Sequence, residues 1–307
     1  MLALFAGVVP VFILIAFGYG MRKSDFLPDA TWRPIEKLSI NLLYPGFLIP
    51  AIWGADLSGG SAGAAGGSAV TAVVIVGGLT LLARPLLRID GPAFTSVFQG
   101  TIRWNSFVFL PVIQSAYGAE GLALAAVMIA CIIPVTNIAC VAVLARWGTD
   151  QRGVSPLALT RAMLANPILV ACLTGLTLNF LHVPPIPGVS DTLKLLGGAA
   201  LPLGLIVAGA GLSFAEVARR KWTVLGVTVV KLVVMPPLMW GLCVLYGGNE
   251  LAQATALLCG AAPGAAAAYL LARQMGGDAP LMAGIVALTT VGSALGIPLA
   301  LALFHLT

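Results

Sequence analysis

Two basic residues occupy positions where basic residues are costly. Arg103 lies inside the apolar run 93–117, in Gly100-Thr101-Ile102-Arg103-Trp104-Asn105-Ser106, with Pro111 shortly after it. Lys231 lies near the middle of 223–246, just ahead of Met235-Pro236-Pro237. A centred Arg or Lys costs roughly 2.5–3.5 kcal/mol on membrane-insertion scales, and such residues mark sites or pathways. The Asp and Glu residues fall in connections or at the ends of apolar segments, so neither cation has an evident buried counterion. A small anion from solution, a carboxylate above all, would complete them. Arg presents a planar fork that matches a carboxylate, and Lys a point charge. A structural reading stays open for both: Arg103 can pair with carbonyls freed at a helix break, and Lys231 can clamp the same region.

The same stretch carries signs of a broken helix. Arg, Asn, Ser and Pro interrupt 93–117, and Pro263-Gly264 interrupts the apolar run 251–272. Proline removes a backbone donor and clashes one turn back, and an adjacent glycine lowers the cost of unwinding. Pro111, Pro263 and Gly264 are therefore the expected helix breakers. Half-helix N-termini at such breaks offer free N–H groups and positive dipole ends to an anion. Arg103 would hold the carboxylate, Asn105 and Ser106 would complete its shell, and Trp104 would line the cavity or merely pack. Pro263 and Gly264 would hold the second break, and Lys231 would be a second electrostatic contact or a clamp.

The elements that position these residues follow from composition. The chain has 307 residues, 59% hydrophobic and 9% charged, with a mean hydropathy of +1.02. Soluble domains run near 45–50% apolar and about 25% charged, so a soluble enzyme, a secreted disulfide scaffold and a disordered chain are excluded. Apolar segments recur at 2–21, 36–55, 65–83, 93–117, 121–145, 162–181, 192–213, 223–246, 251–272 and 280–304. Their continuous character predicts helices that satisfy their own backbone in lipid, not barrel strands. The expected fold is an all-α polytopic membrane protein with ten transmembrane helices. Arg22 and Lys23 follow the first apolar run instead of preceding it, so that run reads as a span and not a signal peptide. Thirteen of the 16 Lys and Arg residues fall in alternate connections. The positive-inside rule then puts both termini on the non-cytoplasmic side. Scattered in this way, the net charge of +5 orients the chain in a bilayer and gives no reason to expect nucleic acid.

The chain also repeats itself. Pro10 and Gly18 match Pro167 and Gly175, and Pro45, Leu48, Ile49, Ala51 and Gly54 match Pro202, Leu205, Ile206, Ala208 and Gly211, all at an offset of 157. Gly100 aligns with Gly260 at a similar offset. The expected halves are 1–147 and 161–307, joined by a short cytoplasmic connection at 148–160. Five spans per half turn the second half upside down relative to the first. Inverted repeats with paired interruptions are the architecture of secondary transporters, with the site near the midplane.

Other signals are weak. Gly59-Gly60-Ser61-Ala62-Gly63 matches a hydrolase pattern but lacks the strand-to-helix context and a histidine partner. His182 and His305 are single and remote, and the five cysteines read as small core residues. No enzyme, metal site or cofactor is expected. Neutral groups such as Asn41, Gln114, Thr289, Thr290 and Ser293 are compatible with a coupling sodium ion without requiring one, and burial leaves Lys231 a candidate proton carrier.

In order along the chain, these features resemble the auxin efflux carrier family, its bacterial malonate-transporter-like members in particular. The residues that carry the likeness run from Pro10, Gly18-Tyr19 and Leu42-Leu43-Tyr44-Pro45 through Arg103-Trp104-Asn105, Asn166-Pro167 and Leu201-Pro202-Leu203. They continue with Lys231, Pro236, Ala261-Ala262-Pro263, Tyr269, Gly276-Gly277-Asp278 and Thr289-Thr290. The resemblance implies two inverted five-helix repeats with helices 4 and 9 crossing at their prolines. It also implies a scaffold and a mobile subdomain moving in an elevator-like shift, often as a homodimer, and a substrate site beside the crossover that includes Tyr269. It further implies a secondary active transporter of a small organic anion in the bacterial inner membrane, with malonate or another short carboxylate as cargo. An exporter of an auxin-like weak acid or a bile-acid-like amphipathic anion, driven by sodium or membrane potential, is the alternative. The long cytoplasmic loop of the plant exporters is absent, and Gly264 and Ala265 stand where a polar side chain would be expected on the second break.

Overall fold

Helices start in this chain where a side chain can take over the first free backbone donors. Asp90 accepts from Ala93 N at 2.8 Å, Asn105 from Phe107 N at 2.9 Å, Asn249 from Ala252 N at 2.9 Å and Asp278 from Leu281 N at 3.0 Å. Each caps the first turn of a helix in the way short polar side chains do. The computed structural model describes residues 2–55, 61–149 and 166–304, with side chains from Val8 onward. Asp56, Gly59-Gly60, Arg152, Arg161, His305 and nearly all of the 148–160 connection lie outside the described residues.

The described residues are all-helical. They form α1 (Leu2–Lys23), α2 (Asp29–Leu38), a π turn (Ser39–Leu43), α3 (Tyr44–Trp53), α4 (Ser61–Leu87), α5 (Gly91–Ile102) and α6 (Ser106–Trp147). The second part holds α7 (Pro167–Phe180), α8 (Val189–Gly198), α9 (Ala200–Ala210), α10 (Ala215–Arg219) and α11 (Lys221–Val229). A second π turn (Val230–Val234), α12 (Met235–Leu245), α13 (Glu250–Ala261), α14 (Ala266–Gln274) and α15 (Ala279–Leu303) complete it. Among the described residues, five stretches can cross a membrane by length and apolar character: α4, Gly91–Trp147, Val189–Ala210, Lys221–Leu245 and α15. The pair α13 and α14, bent by 48°, makes a sixth if it is one span. This is fewer than the ten expected from hydropathy. Expected spans are divided into short helices at breaks, and Gly91–Trp147 contains two of them. Gly118, at φ 58° and ψ −146°, kinks α6 between those two, in a conformation that a Cβ would strain.

The helices pack in two groups. In the first, α1 lies along α9, and α3 lies against α7 and α8. In the second, α4, α5, α6 and α11 to α15 pack on one another. The tightest seam is α1 against α9. A Cβ on Gly18 would strike the Ile206 carbonyl, and one on Gly209 the Ile15 carbonyl. Small residues allow such close approach of backbones in membrane helices. Across the α3–α7 seam, Asn179 donates to the carbonyls of Ile52, Trp53 and Ala55 at 3.0, 3.1 and 2.7 Å. The first group meets the second mainly along α6.

Candidate functional site

The two interruptions meet. After α5 the chain is extended at Arg103 (φ −89°, ψ 145°) and Asn105 (φ −95°, ψ 105°), and helix resumes at Ser106. After α13 it is extended at Ala262 (φ −64°, ψ 140°) and Ala265 (φ −70°, ψ 129°), with Pro263 and Gly264 between them. The Asn105 N–H donates to the Pro263 carbonyl at 2.8 Å. Gly264 N–H donates to Thr289 Oγ1 at 3.0 Å, and that hydroxyl donates to the Ile285 carbonyl at 2.7 Å. Pro111 lies within α6, so the first break sits upstream of it, where Asn105 caps the new helix. The expectation that Pro111 breaks the helix is corrected accordingly.

An open cavity lies beside these breaks. One wall comes from the second group: Arg103 through Phe107, then Ile133, Thr136 and Asn137 of α6, and Ala265 through Ala267. The other comes from Glu36, Ile40, Asn166 and Ile168. The cavity therefore separates the two helix groups. Three helix N-termini open onto it, those of α6, α7 and α14. Asn166 caps α7, accepting from Ile168 N and Leu169 N at 3.1 and 3.2 Å. Residue Ala265 gives α14 no side-chain cap, so that helix turns bare donors towards the cavity. Each N-terminus carries roughly half a positive charge.

Arg103 adds a full charge. Its Nη1 is buried without a hydrogen-bond partner, and its guanidinium is within electrostatic reach of the Cys140 sulfur. Trp104, 6% exposed, has an unpartnered indole N–H. Sequence reasoning placed Arg103, Trp104, Asn105 and Ser106 here, and all four line the cavity. It missed Glu36, Thr136, Asn137 and Asn166. Glu36 is the one carboxylate among the lining residues. It sits on α2, the amphipathic start of a continuous helical run that passes through the π turn into α3. Burial pushes the Glu36 carboxyl above its usual range, and Arg33 on the same helix pulls the other way.

The other expected site residues lie elsewhere. Tyr269 is 39% exposed on α14 and does not line the cavity. Lys231 is fully buried in the second π turn and does not line it either. Pro263 and Gly264 shape the second break without reaching the cavity surface. Among the described residues no cluster of His, Cys, Asp and Glu could hold a metal ion.

Broken helices joined at their breaks, beside a cavity between two helix groups, are features of carriers. Comparison with known families agrees: residues 149–301, which include Lys231 and the second break, match the membrane transport protein family. The chain belongs to the auxin efflux carrier family. Comparison with curated proteins gives no match. The carrier is a membrane protein by family and by its apolar helices.

Proposed function

We propose that this carrier is a secondary active transporter of a small organic anion, a short carboxylate such as malonate. The observation that carries the reading is the convergence of Arg103 and three helix N-termini on one cavity. Charge of that sign and geometry suits a carboxylate: the Arg103 fork binds it, and backbone donors of α6 and α14 complete its shell. Asn105 and Ser106 hold the start of α6, and Trp104 packs beside the bound anion. The bilayer surrounds ten spans in two inverted five-helix repeats, 1–147 and 161–307, joined at 148–160. The location is the inner membrane of a bacterium, with both termini outside. With the basic connections inside, the mouth near Glu36 and Asn166 opens to the cytoplasm. Translocation is an elevator-like shift of the group bearing Arg103 along the group bearing Glu36, in a homodimer.

A second reading has an observation of its own. Ile40, Phe107, Ile133 and Ile168 give the cavity an apolar surface beside Trp104, which favours an acid with an apolar body, auxin-like or bile-acid-like. One experiment separates the two. Purified protein in liposomes is offered malonate, succinate, short monocarboxylates and an indole acid, with and without sodium and a pH gradient. Saturable flux of one class, lost in Arg103→Ala, supports the proposal and names the class. Flux of a carboxylate undiminished in Arg103→Ala overturns the assignment of Arg103.

A further inference from the structure

The two breaks also end α5 and α13, and those ends carry the opposite sign. At their C-termini α5 and α13 leave carbonyls without intrahelical donors, each end equivalent to roughly half a negative charge. Lys231 sits between these two ends. Val227, one turn before it, meets Gly100 of α5, since a Cβ on that glycine would come within 2.8 Å of Val227 Cγ1. Met235, one turn after it, meets Gly260 of α13, where a Cβ would lie 2.9 Å from the Met235 carbonyl carbon. Gly100 lies two residues before the end of α5, and Gly260 one residue before the end of α13. The π turn that bears Lys231 packs on α5, α13 and α15, and Lys231 is within electrostatic reach of Cys259.

Among the described residues of the helices packed here, no carboxylate shares this place. Neither α5 nor α15 contains Asp or Glu, and Glu250 stands at the opposite end of α13. Lys231 Nζ has no hydrogen-bond partner, and both amide atoms of the fully buried Gln99, next to Gly100, also lack one. An ammonium ion at the negative ends of two half-helices balances them in charge.

In carriers with broken helices, freed carbonyls and half-helix C-terminal ends hold the coupling cation. We propose that Lys231 is a tethered cation occupying that position, so that the carrier moves its anion without sodium. Lys231 then makes no contact with the cargo. Its charge is covalently supplied, and it keeps the two negative poles together while Arg103 and the positive poles serve the substrate. The proposal rests on the reading of the cavity as an anion site for its flux arm, while its stability arm is independent of that reading.

The test uses the full-length protein, with carboxylate flux in liposomes and thermal unfolding midpoints, each in sodium and in choline chloride. Wild type is expected to give equal flux and equal midpoints in the two salts. Lys231→Met, which keeps the bulk and loses the charge, is expected to lose flux by about tenfold or more, equivalent to at least ~1.4 kcal/mol. Lys231→Arg is expected to retain more flux than Lys231→Met. Lys231→Ala, which leaves room for an ion, is expected to gain a midpoint that rises with sodium. Wild-type flux that requires sodium overturns the proposal, as does Lys231→Met with wild-type flux in choline. Should Lys231→Ala fail to fold, the wild-type salt comparison and the Met and Arg pair still decide. Absence of carboxylate flux in every salt counts against the anion-site reading. A wild-type midpoint raised by sodium would still overturn the tethered cation.

Discussion

The backbone N–H of Asn105 donates to the carbonyl of Pro263 at 2.8 Å, so the two helix breaks are joined by main chain. The Asn105 side chain meanwhile accepts from Phe107 N and starts α6. These two roles separate on substitution. Asn105→Ala removes the cap and should lower stability by about 1 kcal/mol, while Asn105→Ser should keep it. Asn105→Asp also keeps the cap, but it sets a carboxylate beside the anion subsite. Thermal unfolding should leave Asn105→Asp near wild type while its carboxylate flux collapses.

Arg103 should not tolerate a conservative exchange. Lysine preserves the charge but loses the planar fork and its fixed donors. We expect Arg103→Lys to weaken carboxylate binding by about tenfold, and Arg103→Ala by more, at one lost charge-assisted hydrogen bond per ~1.5–3 kcal/mol. Calorimetric titration of the detergent-solubilised protein with a short carboxylate measures both.

Thr289 holds the second break through one hydroxyl. Thr289→Val keeps the shape and removes the acceptor of the Gly264 N–H. A buried donor left unsatisfied costs about 1–3 kcal/mol. The unfolding midpoint of Thr289→Val should drop accordingly, and that of Thr289→Ser should stay close to wild type.

Glu36 should make anion binding pH-dependent. Its folded carboxyl titrates above the ordinary value of 4.5 because of burial. The protonated form therefore favours the folded protein fully below that value, and the advantage is lost as pH rises through the raised one. Over the same window the cavity gains a negative charge that repels cargo. A sulfonate analogue, ionised throughout, should bind more tightly at pH 4.5 than well above the raised value. Glu36→Gln should bind it tightly at both. Equal pH dependence in Glu36→Gln and wild type would remove Glu36 from the account.

Much of this architecture was legible in the sequence because a bilayer leaves few options. Long apolar runs become helices. The pairing of the interruptions was legible too, from Arg103-Trp104-Asn105 and Pro263-Gly264. The position of the first break was not. Pro111 is the expected breaker, yet it sits in helix and the Asn105 cap sets the boundary. Glu36 escaped notice because it stands at the edge of an apolar segment. Only packing of distant helices brings α2 and the start of α7 to the same cavity as Arg103. For Lys231 the sequence indicated depth but not direction, since hydropathy does not say which pole of a broken helix a side chain faces.

The glycine seam between α1 and α9 has a consequence for permeability. With Gly18 against the Ile206 carbonyl and Gly209 against that of Ile15, main chain meets main chain and water cannot pass between them at those points. Protons and small ions thus have no wire through those two contacts. A seam closed by backbone in this way needs no bulky side chain to keep it tight at those points.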